Sequence, residues 1–113
     1  MADCIFCKIA QHEIKADIVF EDDKIIAFRD IAPKAPSHIV IIPKIHIDSI
    51  GSLNGENADI VADIMIAAGK IAQDLGIDKS GFRVVSNTGP DASQAVPHLH
   101  FHLLGGGKLG DIC

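Results

Sequence analysis

Three histidines alternate with apolar residues in His98-Leu99-His100-Phe101-His102, and this pattern restricts the chain more than any other. Successive side chains of a β-strand point to opposite faces. In a strand the three imidazoles therefore share one face, spaced about 6.6 Å apart along it, and Leu99, Phe101 and Leu103 face the core. Three readings suit such a face. One histidine can attack phosphorus, because imidazole titrates near neutrality while its neighbours hold its tautomer and stabilise phosphoryl oxygens. Two or three can share a metal ion. Or they form an ordinary polar, wet face.

The residues upstream bear on this choice. Asn87-Thr88-Gly89-Pro90-Asp91-Ala92-Ser93 is a polar, turn-rich loop that can aim backbone N–H groups and an amide at one anion. The formal net charge is −5, with no basic stripe. A grip on a nucleic-acid backbone needs clustered Lys and Arg, so polymeric nucleic acid is set aside and a small anionic ligand is retained. The N-terminal Met1-Ala2-Asp3-Cys4 lacks an apolar signal core, and Ile39–Ile42 is too short to span a bilayer. The expectation is a chain that is soluble, cytoplasmic and without membrane partners, extending to the nucleus if the source is eukaryotic.

The chain has 113 residues, room for one domain spanning 1–113. Cys4–Gln11 fits a short helix. Ile18–Phe20 and Lys24–Asp30 read as strands joined by a Glu21-Asp22-Asp23 turn. Ser37–Ile42, ended by Pro43, is a third strand. Asn54 is an expected N-cap for a long helix reaching Leu75. Its apolar stripe is Ala58, Val61, Ile64, Met65, Ala68, Ile71, Ala72 and Leu75, and Gly76 stands at the left-handed C′ position. Phe82–Ser86 and Leu99–Leu104 complete five strands. The class is α+β: a mostly antiparallel sheet with one long and one short helix, both expected on one face. Uncovered edges make a dimer an expectation.

Gln94-Ala95-Val96-Pro97-His98-Leu99-His100-Phe101-His102-Leu103-Leu104 resembles the signature of the histidine-triad (HIT) family. Ile5-Phe6-Cys7-Lys8-Ile9, Phe20-Glu21-Asp22-Asp23, Ala27-Phe28-Arg29-Asp30-Ile31, Ala35-Pro36-Ser37-His38 and Ile42-Pro43-Lys44-Ile45-His46-Ile47 are similar to its Hint-like branch, the nucleoside phosphoramidases. The resemblance runs from Cys4 to about Gly107.

It implies a HIT-like fold and a homodimer with joined sheets. It also implies hydrolysis of purine nucleoside 5′-phosphoramidates at the P–N bond, through a covalent nucleotidyl-histidine and with release of AMP or GMP. By the same resemblance His100 is the nucleophile and His102 contacts the phosphate. The carbonyl of His98 or a neighbour orients the His100 ring, and His38 supports the nucleophile by hydrogen bonding. Phe6, Phe28 and Ile31, with Ile5 and Ile9 nearby, would line the base of an AMP-type ligand. Asp30 would bind the ribose, and Asn87, Ser93 and Ala95 the phosphate. Without the resemblance, the Phe and Ile residues read as core and Asp30 as a strand-end carboxylate. The chain departs from the branch at Ala95, where Ser is common, at Ser93, where Gly is common, and at Pro97, where an aromatic is usual. The lost hydroxyl at Ala95 bears on rate and leaving-group preference.

Cys4-x-x-Cys7 is half of a zinc site, and His46 and His98 are candidates for the other half. Some microbial family members use such a Cys, Cys, His, His set. The metal would be structural, with no cofactor needed for the chemistry. A redox pair lacks its βαβ context, whereas two plain reduced thiols remain an alternative. Two further functions stay open beside the phosphoramidase. One is a dinucleoside polyphosphate hydrolase, and the other is a zinc-stabilised nucleotide-binding adaptor with little catalysis.

Overall fold

In the computed structural model, which describes residues 4–111, five strands form one antiparallel sheet in the order β1-β2-β3-β5-β4. The elements along the chain are α1 (Ile5–Ala10), β1 (Ile18–Glu21), β2 (Ile25–Arg29), β3 (Ser37–Pro43), α2 (Asp59–Asp74), β4 (Phe82–Val85) and β5 (Phe101–Gly105). The turn between β1 and β2 closes on Asp22, whose Oδ1 accepts the N–H groups of Lys24 and Ile25, both at 2.8 Å.

Ile25–Phe28 of β2 and Ile39–Pro43 of β3 are apolar without interruption because both faces of the sheet are covered there. Ile25, Ala27, Ile39, Ile41, Leu99, Phe101 and Leu103 meet α2 through Ile60, Ile64, Ala67, Ala68 and Ile71. Ile26, Phe28, Val40 and Ile42 pack on the other side against Ile9, Ala10 and Phe6 of α1. The helices thus lie on opposite faces, where one shared face was expected. The apolar runs Ile25–Phe28 and Ile39–Pro43 are the reason, since alternate residues on both sides need a partner.

Helix α2 starts later than Asn54. The Asn54 side chain accepts the N–H groups of Glu56 and Asn57 at 2.8 and 3.2 Å, so it caps a separate turn before the helix. The buried face of α2 includes Ile60 and Ala67, whereas Met65 is exposed. Gly76 does end the helix in a left-handed conformation, at φ 72°. Gly105 is fixed by crowding: a Cβ there would lie 2.7 Å from Ile77 Cδ1 and 3.3 Å from the Gly81 carbonyl.

The largest departure concerns the histidines. Strand β5 begins at Phe101, so His98 and His100 precede it. Beyond the Ile41–Phe101 pair the chain leaves the ladder, and the Leu99 N–H bonds to the Ile47 carbonyl. His98 and His100 are 0% and 5% exposed as residues, so they do not form a wet face. Only His102, opposite Val40, keeps the expected strand position, half-buried beneath the α1 side of the sheet.

Candidate active site and metal centre

His100 lies where α1 meets the end of β5. Its Nδ1 is 2.7 Å from the His98 carbonyl oxygen. A carbonyl only accepts, so Nδ1 carries a proton and, in neutral His100, Nε2 has the lone pair. The same hydrogen-bond logic fixes the neighbouring rings. His38 Nδ1 accepts the Lys34 N–H at 3.0 Å, so in neutral His38 the ring proton sits on Nε2. That Nε2–H donates to His102 Nδ1 at 2.9 Å, which leaves the Nε2 of a neutral His102 as a donor. His38 was expected to support the nucleophile. Its direct partner is His102, whose ring centroid is 5.1 Å from that of His100.

Burial is the largest influence on His38 and His102 and holds both below the ordinary imidazole value. For His38 the Lys34 ammonium reinforces the effect and the Asp30 carboxylate opposes it. Near neutrality both rings are therefore neutral, as the chain of hydrogen bonds requires.

A cleft of about 520 Å³ is walled in part by Phe6, whose other side meets His100. Its walls bring together Ile5, Phe6, Ile9, Phe28, Asp30 and Ile31, six of the residues expected around a nucleoside. Phe6 stacks edge-on against Phe28 and His100, with ring centroids 5.6 and 5.1 Å away. Asp30 has Oδ1 on the Ala32 N–H at 2.8 Å and Oδ2 3.5 Å from His38 Nε2. Asn87 stands apart from this cleft, across His102.

The polar loop before the triad contains a short 3-10 turn, Pro90–Ala92, followed by Ser93 in a left-handed conformation at φ 59°. That backbone favours glycine, so Ser93 is held by its surroundings. Gln94 supplies much of the hold. Its Oε1 accepts the Gly89 N–H at 2.9 Å, and its Nε2 donates to the carbonyls of Asp48 and Val96. The sequence reading passed over Gln94. It also missed Ser86, whose Oγ donates to the His100 carbonyl at 2.8 Å. Ser86 acts on a main-chain atom fourteen residues away, and Gln94 joins its own loop to the Asp48 carbonyl, 46 residues away, contacts that no sequence pattern signals.

Behind His100 lies a second cluster, in which ligand atoms of Cys4, Cys7, His46 and His98 all fall within 4.8 Å of one another. Cys4 is the N-cap of α1, its Sγ accepting the Cys7 N–H. His98 Nδ1 is 3.4 and 3.5 Å from the two sulfurs, and His46 Nδ1 is 3.2 Å from Cys7 Sγ. The far nitrogens identify the tautomers. His98 Nε2–H donates to the Pro43 carbonyl at 2.9 Å, and His46 Nε2–H donates to Asp48 Oδ1 at 2.8 Å. Both Nδ1 atoms thus offer lone pairs toward the thiols. Two sulfurs, two imidazoles and an outer acceptor on each imidazole are the donor set of a tetrahedral site. The cluster fits a metal ion. Asp48, two residues beyond His46, was legible as a partner and was overlooked.

These features belong to a family. Residues 11–109 match the HIT domain, and the chain belongs to the HIT family. The purine nucleoside phosphoramidase of Escherichia coli is 45% identical over 106 residues, covering 94% of this chain and 89% of the relative. An uncharacterised HIT-like protein of Synechococcus elongatus is 47% identical over 107 residues, covering 95% and 93%. Among solved structures, a HIT family hydrolase from Clostridium thermocellum superimposes with a TM-score of 0.96 at 48% identity, covering 98% of this chain and 96% of that one. A histidine triad protein from Clostridium difficile gives the same TM-score, identity and coverage. No helix among the described residues is long and apolar enough to cross a membrane.

Proposed function

We propose that this chain is a purine nucleoside phosphoramidase that attacks the α-phosphorus of its substrate with His100. The observation that carries the reading is the 2.7 Å bond from His100 Nδ1–H to the His98 carbonyl, which leaves Nε2 of the neutral ring as the free lone pair, on a ring packed against Phe6 of the cleft wall. In the first step a bond forms between Nε2 and phosphorus as the P–N bond breaks, and the departing nitrogen takes a proton from solvent and leaves as the amine. Water then attacks phosphorus and gives a proton back to solvent, the P–Nε2 bond breaks, and a nucleoside monophosphate leaves, AMP or GMP. His102 presents Nε2–H to the phosphoryl oxygens. Asn87 and main-chain N–H groups around Ser93 and Ala95 hold the same oxygens, the Ser93 N–H itself being taken by the Pro90 carbonyl. The base lies against Phe6, Phe28 and Ile31, and Asp30 accepts from the ribose hydroxyls. The 45% identity to a protein named for this activity supports the substrate class.

Zinc is the ion that the Cys4, Cys7, His46 and His98 set suits. Bound there, it supplies structure and no reaction chemistry. It would hold α1, and with it Phe6, against the segment that carries His100. A homodimer in the cytoplasm completes the reading; the β4 end of the sheet, with Phe82 exposed, supports a second copy joined there.

The test is turnover of adenosine 5′-phosphoramidate beside a diadenosine polyphosphate. The reading predicts kcat/KM at least tenfold higher for the phosphoramidate. The reverse order would make the chain a dinucleoside polyphosphate hydrolase, and no turnover of either with AMP still bound would make it a binding protein.

A further inference from the structure

One side chain bridges the polar loop before the histidines and the cysteine cluster. The amide of Gln94 reaches three main-chain groups. Its Oε1 accepts the Gly89 N–H at 2.9 Å, at the start of the loop. Its Nε2 donates to the Asp48 carbonyl at 2.8 Å and to the Val96 carbonyl at 3.1 Å. A primary amide offers one acceptor oxygen and two N–H hydrogens. Turned over, it would set its oxygen against two carbonyls, so the three partners fix its orientation.

The two carbonyls occupy matched places. Asp48 stands two residues beyond His46, and Val96 two residues before His98, so each belongs to a segment that supplies one imidazole of the cluster. Both segments are tied to those imidazoles or their backbone. The Asp48 carboxylate accepts from His46 Nε2–H at 2.8 Å, and the Val96 carbonyl also accepts the His98 N–H at 2.8 Å. On the loop side, the N–H groups of Gly89, Ala92, Ser93 and Gln94 are taken up inside the loop. Those of Ala95 and Val96 have no acceptor among the described residues. The Gln94 amide thus closes the loop from Gly89 to Val96 and holds in place the two donors that remain free.

We propose that Gln94 is a positioning residue for the nucleotide phosphate and that it couples this phosphate to a metal ion in the cysteine cluster. This rests on the phosphoramidase reading, in which main-chain donors of the loop meet the phosphoryl oxygens. His46 and His98, drawn to one ion, restrain the two segments whose carbonyls hold the Gln94 amide, and the amide restrains the loop. Coupling between two sites is reciprocal, so phosphate at the loop strengthens the metal's hold by the same factor. Phe6 lines the nucleoside cleft, so a link through Phe6 acts on adenosine and AMP alike. The link through Gln94 acts on AMP alone.

The test is the ratio of AMP affinity to adenosine affinity, measured by titration calorimetry on the wild type and Gln94→Met, each zinc-loaded and zinc-stripped. Methionine fills a similar space and makes none of the three bonds. The loaded wild type is expected to prefer AMP. Stripping should lower the ratio about three- to tenfold, the worth of one net hydrogen bond. Gln94→Met should show the lowered ratio when loaded and no further fall when stripped. A second measurement needs no variant: in a chelator competition on the wild type, AMP should raise zinc affinity about three- to tenfold more than adenosine does. A loaded Gln94→Met ratio equal to that of the wild type would overturn the positioning role. An AMP effect on zinc no larger than that of adenosine would overturn the coupling. Turnover of adenosine 5′-phosphoramidate by the wild type separates these failures from failure of the function. With turnover and an unchanged ratio, the phosphoramidase stands and the role of Gln94 falls; with neither turnover nor a preference for AMP, both fall.

Discussion

The main-chain carbonyl of His98 accepts the Nδ1–H of His100 at 2.7 Å, while the His98 ring points the other way, its Nδ1 3.4 Å from Cys4 Sγ. One residue therefore joins the cysteine cluster to the ring that carries the free lone pair. Phe6 makes a second link, because it lies on α1 between the two cysteines and packs edge-on against both His98 and His100.

Metal content should follow from this arrangement. The purified protein is expected to carry close to one zinc per chain by elemental analysis, and Cys7→Ser to carry far less. Asp48→Ala removes the acceptor behind His46 and should weaken metal affinity about 10- to 100-fold in a chelator competition. Stripping the metal should lower the melting temperature and weaken AMP binding together, since α1 carries part of the nucleoside wall. Unchanged AMP affinity in the stripped protein would contradict the coupling through Phe6.

Acid should act through His38 and His102. Burial holds both below the ordinary value of 6.5 in the folded chain. Their unfolded forms therefore bind protons at a pH where the folded forms do not. The stability they contribute is present above about 6.5 and is lost as pH falls through the folded values. Catalysis should share the sign. Protonated His102 can no longer accept from His38, so kcat/KM should show an acid limb below about pH 6.5. His38→Ala should move that limb and lower kcat/KM by about tenfold or more, within the usual worth of a positioned acid–base group.

The face of α2 gives a stability test. Ile64 is 0% exposed and Ile66 61% exposed. Ile64→Ala should cost about 2–5 kcal/mol in urea unfolding, and Ile66→Ala should fall within about 0.5 kcal/mol of the wild type. Equal costs would mean that α2 docks on a different stripe.

The strands and both helices were legible because their signals are local: the β-branched run of Ser37–Ile42, the Asp22 turn, and Gly76 as a stop. The N-terminal end of α2 was misread because Asn54 has the chemistry of a cap, and a capped turn looks the same in sequence as a capped helix. Met65 was misplaced because a stripe read by spacing alone leaves the rotation of the helix on the sheet undetermined. The histidine alternation was read as one continuous face. The chain leaves the ladder after Ile41–Phe101, so the three rings divide between two sites. That division depends on Cys4 and Cys7 arriving from the far end of the chain, information that no short window contains. The bonds from Gln94 to the Asp48 carbonyl and from Ser86 to the His100 carbonyl were invisible for the same reason, since each joins groups distant in sequence.

Trapping the reaction tests the central claim most directly. Wild type and His100→Ala would be quenched within milliseconds to seconds of mixing with adenosine 5′-phosphoramidate, and intact masses read, with circular dichroism confirming that the variant is folded. The account predicts an adenylyl adduct on the wild type that maps to His100, and neither adduct nor turnover in the folded variant. Retained turnover in His100→Ala, or an adduct mapping to another residue, would contradict it.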